Sequence, residues 1–416
     1  MPNETPRSPG RRIALVAASA CLIGGILECA RQSSASFLLR KGSEEPLRAA
    51  IRLAPDRADL YRDLAFLDPS HGEEYLRASL KRNPTDAAAW MQLGLISEAN
   101  GRAAEARTAL EEAARRDNGF ATSWALCSYH FRRNNDDEFW RWARKAGSFQ
   151  NADLQNVIDL CMRRDPSPSR VLAALPDTCT ARTEMFRYLQ QQKGSNSSQL
   201  PVSLPIAREI IPCQDTASRA LLLDFVFHSA MGGSVDAARE IWDKLSDRGR
   251  IPYRSLGHDG NFVTNGDFQH LPSRQGLDWQ YDPVDGVSFR LAQSEQLHRL
   301  KIEFDGREPA ATPVLWQPLF LEKGQEYKLS FQMAIDQPLN SVGLHWRLAA
   351  PQGGAPLIPD SPDWHALPGD AKHERSWSFR NPADSVSLLI LYYDRPTGQT
   401  RMRGTVSVGG VRLRRV

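Results

Sequence analysis

For its size the chain carries almost no net charge, +3 across 416 residues, with 52 Lys and Arg set against 49 Asp and Glu. It also lacks a clustered basic face, because the arginines are scattered along the chain, so it does not read as a nucleic-acid binder. No Cys-x-x-Cys pair and no Cys/His ligand spacing occurs, which removes the usual structural zinc sites. There is no Gly-x-Ser-x-Gly elbow, no P-loop, no His-Glu-x-x-His and no dinucleotide fingerprint. The nine histidines are dispersed, and His365 and His373 share a region without a ligand pattern. The expectation is a non-catalytic protein with no metal and no cofactor.

Long apolar runs are nearly absent too, and the one present is short. Arg11-Arg12 precede Ile13–Leu27, which has no charge, and Glu28 and Arg31 follow. As a helix the run covers about 22 Å at ~1.5 Å per residue, against a bilayer core of ~30 Å. Extending it to Ala30 places Glu28 near the far interface. The reading is a single-pass anchor over residues 13–30, with the basic N-terminus inside and the bulk of the chain exported from a bacterial inner membrane. The competitors are a signal peptide cleaved near Ser33-Ser34-Ala35 and a buried soluble helix. A lipoprotein is weaker, since Glu28 precedes Cys29 and Ala18 stands where the motif before Cys21 wants Leu. In an oxidising compartment the six cysteines become informative. Cys179 and Cys213 flank a loop-rich region and are candidates for a disulfide, with Cys161 competing; Cys127 reads as a small core residue.

What the chain has in abundance is helix-forming sequence up to about residue 250, and within it a repeat. Trp90-x-x-Leu93-Gly94 recurs as Trp124-x-x-Cys127-Ser128, with Ala106, Leu110 and Ala113 between. An earlier unit offers Tyr61, Leu64, Ala65, Leu76, Leu80 and Pro84. Small Ala106 and Ala113 let a second helix approach the bulky Trp90 and Leu93 of the first, and Gly94 permits a close crossing. Asn100-Gly101 supplies the turn. These residues resemble the tetratricopeptide repeat, closely over 87–120 and loosely on either side. That resemblance implies a helical solenoid that grips a protein partner. Helices are expected further on at Phe37–Ala54, Asp136–Ala146, Ala152–Arg163, Ser169–Leu175, Ala181–Gln192, Asp215–Met231 and Val235–Arg248. Gly194–Pro205, rich in Ser, Asn and Pro, reads as a loop.

Between Gly249 and Gly260 the 3.6-residue period ends, and beyond it period two takes over. Leu300/Ile302/Phe304, Tyr327/Leu329/Phe331/Met333, Val342/Leu344/Trp346/Leu348 and Val386/Leu388/Ile390/Tyr392 each line one strand face. About eight strands at this spacing indicate an all-β sandwich. The organisation is therefore 1–35 tip and anchor, 36–255 helical repeats, and 256–416 β-sandwich. Asn261-Phe262-Val263-x-Asn265-Gly266-x-Phe268, Gly276-x-x-Trp279, Trp316-Gln317-x-Leu319 and Gly324-x-x-Tyr327-x-Leu329-Ser330-Phe331 resemble carbohydrate-binding-module jelly rolls of the galactose-binding type. Such domains often hold calcium, but Gln269 and Gly409-Gly410 stand where acidic ligands are expected.

Sugar recognition needs aromatic faces and planar polar groups on one surface. Trp279, Trp346 and Phe331 fall on the apolar alternation and read as core. The ligand candidates are His345, Arg347, Gln332 and Tyr393, on the opposite parity, and Trp364 in the Pro-rich loop. The strand Ser387–Tyr393, apolar on both faces, is either central and covered or part of a binding face. The two resemblances together imply a membrane-anchored envelope protein that assists assembly or export of surface polysaccharide. The alternative is an envelope scaffold that binds protein alone, and a glycan hydrolase comes last.

Overall fold

The computed structural model describes residues 9–192, 196–294, 297–335, 343–351, 356–364, 373–384, 386–395, 397, 398 and 400–416. Val342, His365 and the turns expected at Pro338-Leu339-Asn340, Gly353-Gly354 and Pro368-Gly369 lie outside these residues. The chain forms two compact units, Met1–Asp177 and Thr178–Val416.

The first unit contains α1 (Pro9–Leu39), α2 (Glu44–Leu53), α3 (Ala58–Leu67), α4 (Gly72–Arg82), α5 (Ala87–Ala99), α6 (Ala103–Arg116), α7 (Phe120–Arg132), α8 (Asp136–Gly147), α9 (Leu154–Arg164) and α10 (Pro168–Ala174). Sequence neighbours pack as pairs, α1 on α2 through α7 on α8. Side-chain caps start several helices. Asp86 accepts from the backbone N–H of Ala88 and Ala89, Asn135 from Glu138 and Asp153 from Asn156. Gly101, at φ +78°, turns the chain between α5 and α6, a conformation that costs glycine little. The crossing of that pair depends on Gly94, since a Cβ there would lie 2.7 Å from Leu110 Cγ. One expected helix, Phe37–Ala54, is two: Gly42 at φ +61° separates α1 from α2.

The expected membrane anchor does not survive. Among the described residues no helix is long and apolar enough to cross a membrane, which overturns the single-pass span over 13–30 and the inner-membrane address built on it. The reason lies just past the apolar run. Glu28 accepts from Arg31 at 2.6 Å and Gln32 at 2.7 Å, and Arg31 also reaches the Leu53 carbonyl and Asp56. Further along, Ala35 is buried with Ala50, Ala54 and Leu60. The second half of α1 is thus the first member of a helix pair.

The second unit opens with α11 (Cys179–Gln191), α12 (Asn196–Ile210), α13 (Thr216–Met231) and α14 (Val235–Asp247). A disulfide joins Cys179 to Cys213. The segment expected to be a loop, Gly194–Pro205, is helix from Asn196 on, with Pro201 and Pro205 inside α12. Both prolines fall within its first three turns, and Ile206, Ala207 and Ile210 behind them are buried and hold the element by packing. Among the described residues eight strands follow: β1 (Val287–Ser294), β2 (Leu297–Asp305), β3 (Ala311–Leu319), β4 (Glu326–Ile335), β5 (Leu344–Ala349), β6 (His373–Arg380), β7 (Ser387–Asp394) and β8 (Arg403–Arg415). They pair antiparallel as a five-stranded sheet β1-β2-β8-β4-β6 and a three-stranded sheet β3-β7-β5. From β2 to β8 successive strands alternate between the sheets, which is jelly-roll winding. Their inner faces meet in one core around Trp279, Trp346, Tyr327, Phe331, Leu389 and Val406.

The helices and the sandwich of this unit share packing. At Gly276, φ +55°, a Cβ would lie 2.5 Å from Trp242 Cζ3 of α14 and 3.0 Å from Leu223 Cδ2 of α13. Trp242 also stacks on Tyr253, whose hydroxyl donates to Asp278 at 2.7 Å. One turn further along α13, Phe227 meets Trp316 of β3 with ring centroids 6.0 Å apart.

Candidate functional site

In the first unit the repeat residues do the packing their sizes suggest. Leu93, Ala106, Leu110 and Ala113 are buried, while Trp90 and Trp124 are half-buried. Trp90 is held by a device that the sequence reading missed. Its indole donates to the Pro84 carbonyl at 2.9 Å, Arg116 donates to the same carbonyl at 2.7 Å, and the Arg116 guanidinium lies 5.2 Å from the ring. One pair earlier, Tyr61, Pro55 and Arg82 repeat the arrangement, with the guanidinium 4.0 Å from the ring. The signal was present as an aromatic six residues after a proline, with an arginine closing the second helix.

The first helices of two successive pairs leave large apolar side chains in water. Phe66 is 78% exposed and Leu95 43% exposed. Both occupy the position directly after the small residue of the repeat, Ala65 and Gly94. In the next pair that position is Tyr129, which is buried and donates to the Ala103 carbonyl at 2.9 Å. Beside Leu95 lies a depression of about 500 Å³ lined by Glu98, Ala99, Arg132 and Arg133, where Arg132 clasps Glu98 through two bonds of 2.9 and 2.7 Å.

In the β-sandwich two of the five expected ligand residues are core. Trp364 is 0% exposed. Its Pro-rich segment reads as an exposed loop, yet residues 356–364 run along β5 and pair with it. Leu357 N–H donates to the Leu348 carbonyl, Ser361 N–H to Trp346 and Trp364 N–H to Leu344. That pairing covers a free sheet edge and delivers Trp364 onto Phe331, ring centroids 5.5 Å apart. Tyr393 is 1% exposed, its hydroxyl 3.4 Å from buried Glu308, and burial with that carboxylate raises its pKa. Here the error is one of parity. Strand β7 is apolar on both faces, and the interior takes Leu389, Leu391 and Tyr393 rather than Leu388, Ile390 and Tyr392. It is the central strand of its sheet.

The other three stand on outer faces. Arg347 makes a bidentate pair with Asp360, the shortest bond 2.7 Å, and its guanidinium lies 3.8 Å from the Tyr392 ring. That carboxylate, by hydrogen bonding, raises the Arg347 pKa. His345 is buried between Asp360, 3.1 Å from Nε2, and Asp363, 3.3 Å from Nδ1. The cluster therefore fastens the 356–364 segment to β5, and its hydrogen-bonding groups face each other. Gln332 is half-buried on the outer face of β4, with Oε1 lacking a partner. The structure brings His345 and Arg347 together but not Gln332, which belongs to the other sheet.

A polar cleft of about 350 Å³ was not foreseen at all. It lies between residues 252–261, the Thr264–His270 turn and the end of β8. Its floor is a close approach: a Cβ on Gly266 would lie 2.0 Å from the Val411 carbonyl oxygen, and Val411 N–H donates to the Gly266 carbonyl at 2.8 Å. Behind the turn, Asp278 is fully buried and accepts from Ser273 N–H, Asn265 and Tyr253 at 2.6, 3.1 and 2.7 Å. Burial, with that carboxylate second, pushes the Tyr253 pKa up, so its hydroxyl stays a donor. Among the described residues no group of three or more His, Cys, Asp and Glu could hold a metal ion. Gln269, standing where an acidic ligand is expected, bonds Asp267 instead.

No family model matches the sequence, and no curated protein is similar to it. Among solved structures the helical half is similar to YrrB, a TPR protein with an unusual peptide-binding site. Identity is 16%, over 50% of this chain and 93% of that one, with a TM-score of 0.24. It is also similar to Pseudomonas aeruginosa PilF, at 16% identity over 53% and 93%, TM-score 0.27. The β region is similar to a CBM4 module, at 14% identity over 37% of this chain and 99% of that one, TM-score 0.28. The enzymatically active domain of bacteriophage CBA120 tailspike protein 4 is another neighbour, at 14% identity and TM-score 0.27, and this chain covers 22% of it. The neighbours thus include tetratricopeptide proteins over the helical half and carbohydrate-binding modules over the β region.

Proposed function

We propose that the chain is a non-catalytic adaptor: its first unit holds a protein partner and its β-sandwich contacts glycan, in the assembly or export of a polysaccharide. The observation that carries the protein-binding half is the pair Phe66 and Leu95. Two large apolar side chains exposed at the same repeat position cost solvation unless a partner covers them, and burying such side chains is worth roughly 1.5–3 kcal/mol each. The depression beside Leu95, edged by the Arg132–Glu98 pair, adds a polar rim. What supports the glycan half is the outer face of the five-stranded sheet. There Lys328, Ser330, Gln332, Ser376 and Ser378 share one side by register and supply donors and acceptors suited to hydroxyls.

Photo-crosslinking residues placed at 66 and 95 in the full chain test the protein half, with position 115, exposed on α6, as control. Discrete adducts at 66 and 95 and none at 115 are expected. Equal labelling at all three, or none, would sink the reading.

A further inference from the structure

The cleft beside the Asn265-Gly266 turn has a chemistry of its own. It rests on the reading of the β-sandwich as a glycan-binding module, and we propose that this cleft is where it binds and that its ligand is an acidic saccharide, a chain unit bearing a carboxylate of the uronic-acid class.

Strain marks the place. Five non-glycine residues of the described chain have positive φ, and four of them, Asp259, Asn265, Phe268 and Arg274, fall within this short stretch. Asn and Asp tolerate the left-handed region, but a bulky residue such as Phe268 adopts it only at a cost, and such strain concentrates at ligand sites. The cost is offset where Phe268 is fully buried against Trp279. The result is a fixed turn that sets Asp267, Gln269 and His270 along one wall. The opposite wall is fixed as well. Ser246 Oγ donates to the Tyr253 carbonyl at 2.7 Å, and Leu256 N–H donates to Asp243 at 2.8 Å.

Availability then selects the ligand. Asn265 is consumed by bonds to His270 and Asp278, and Arg254 pairs with Asp259 at 3.1 Å. The cationic and imidazole groups of the lining that keep donors without a hydrogen-bonding partner among the described residues include Arg412, Arg414 and the His270 ring. Arg412 and Arg414 stand two residues apart on β8, hence on one face about 7 Å apart. A guanidinium matches a carboxylate through two parallel bonds. Asp267 and Asp259 in the same lining disfavour a dianion such as phosphate more than a single carboxylate, and they accept from hydroxyls. A volume of 350 Å³ lies at the lower end of ligand sites, about 300–1,000 Å³, and suits one or two sugar units. The Tyr253 ring in this lining is engaged by Trp242 on one face and lies near-perpendicular to the His270 ring. Recognition therefore falls to charge and hydrogen bonds.

The test is calorimetric titration of the full chain with trigalacturonate, maltotriose and inorganic phosphate, repeated on the Arg412→Ala/Arg414→Ala double variant. Both arginines are exposed, so the variant is expected to keep the circular dichroism spectrum of the parent. Saturable binding of trigalacturonate, at least about tenfold tighter than maltotriose and weakened about tenfold or more in the double variant, is the expected result. Equal affinity for maltotriose, or an unchanged double variant, overturns the inference while leaving a glycan-binding sandwich standing. Phosphate binding as tightly as trigalacturonate overturns it in favour of a simple anion site. Binding of neither saccharide overturns both the inference and the glycan reading.

Discussion

The two units use helix pairs in different ways. In the first, each pair buries a small cluster of its own and its immediate neighbour's residues, such as Ala65, Leu76, Leu80, Ala89, Leu93 and Ala109, and the aromatics sit half-exposed under arginines. In the second, α13 and α14 send Leu223, Phe227 and Trp242 onto the sandwich and its opening turn. The first is a row of local cores that leaves apolar side chains free at Phe66 and Leu95. The second packs α13 and α14 against the sandwich at Gly276, within the 264–279 turn, and at Trp316 of β3. On the function proposed above, contact with a partner and a preformed cleft are the respective consequences.

The comparison breaks first at Trp242. Truncation to Ala removes a fully buried indole that fills the space over Gly276 and stacks on Tyr253, and such losses run about 3–5 kcal/mol. If α14 and the sandwich share a core, hydrogen exchange in Trp242→Ala should rise together in α14, the 264–279 turn and β3, with the first unit unchanged. A rise confined to α14 would mean that helix and sheet are independent.

The contrast between local and long-range packing also explains what could be read from the residues alone. The repeat over 87–120 and the strand alternation are local signals with periods of 3.6 and 2, so helices, strands and the change between them were legible. Parity on β7 was not, because Leu388, Leu389, Ile390 and Leu391 are apolar on both faces and only the sheet neighbours decide which set points inward. Trp364 and the cleft share one cause: each depends on a segment without periodicity packing against a distant strand, 356–364 on β5 and 264–270 on β8. Arg412 and Arg414 alternate with buried Val411 and Leu413 as any exposed strand residues do, and nothing local ties them to His270. The apolar run at 13–27 misled in the opposite sense. Its composition is that of an anchor, and the outcome turned on the pairing of Glu28 and Arg31 behind it.

A smaller effect probes the local cores of the first unit. In Gly94→Ala the new methyl would sit 2.7 Å from Leu110 Cγ and 3.2 Å from the Ala106 carbonyl. Leu110 is fully buried and has little room to move, so overpacking should cost about 1–3 kcal/mol. Because the cores are local, denaturant-induced loss should appear in α5 and α6 exchange first and fade along the unit. A uniform loss over the ten described helices would show that the row behaves as one body.

The mildest probe is acid. His130 on α7 is buried, with both ring nitrogens lacking partners and Glu138 3.9 Å away. Burial holds its pKa below the ordinary value of ~6.5, with Arg107 and Arg141 adding to that and Glu138 and Glu111 opposing it. A depressed folded-state pKa means that the unfolded chain takes the proton first. The stabilisation is therefore fully present above pH ~6.5 and is lost as pH falls through the folded value. The exchange protection of α7 should decline between about pH 7 and 5 in the parent and stay level in His130→Leu, while the core strands β4 and β8, which contain no histidine, serve as the internal reference. Parallel decline in parent and variant would remove His130 as the cause and place the acid sensitivity in the surface ion pairs of the row.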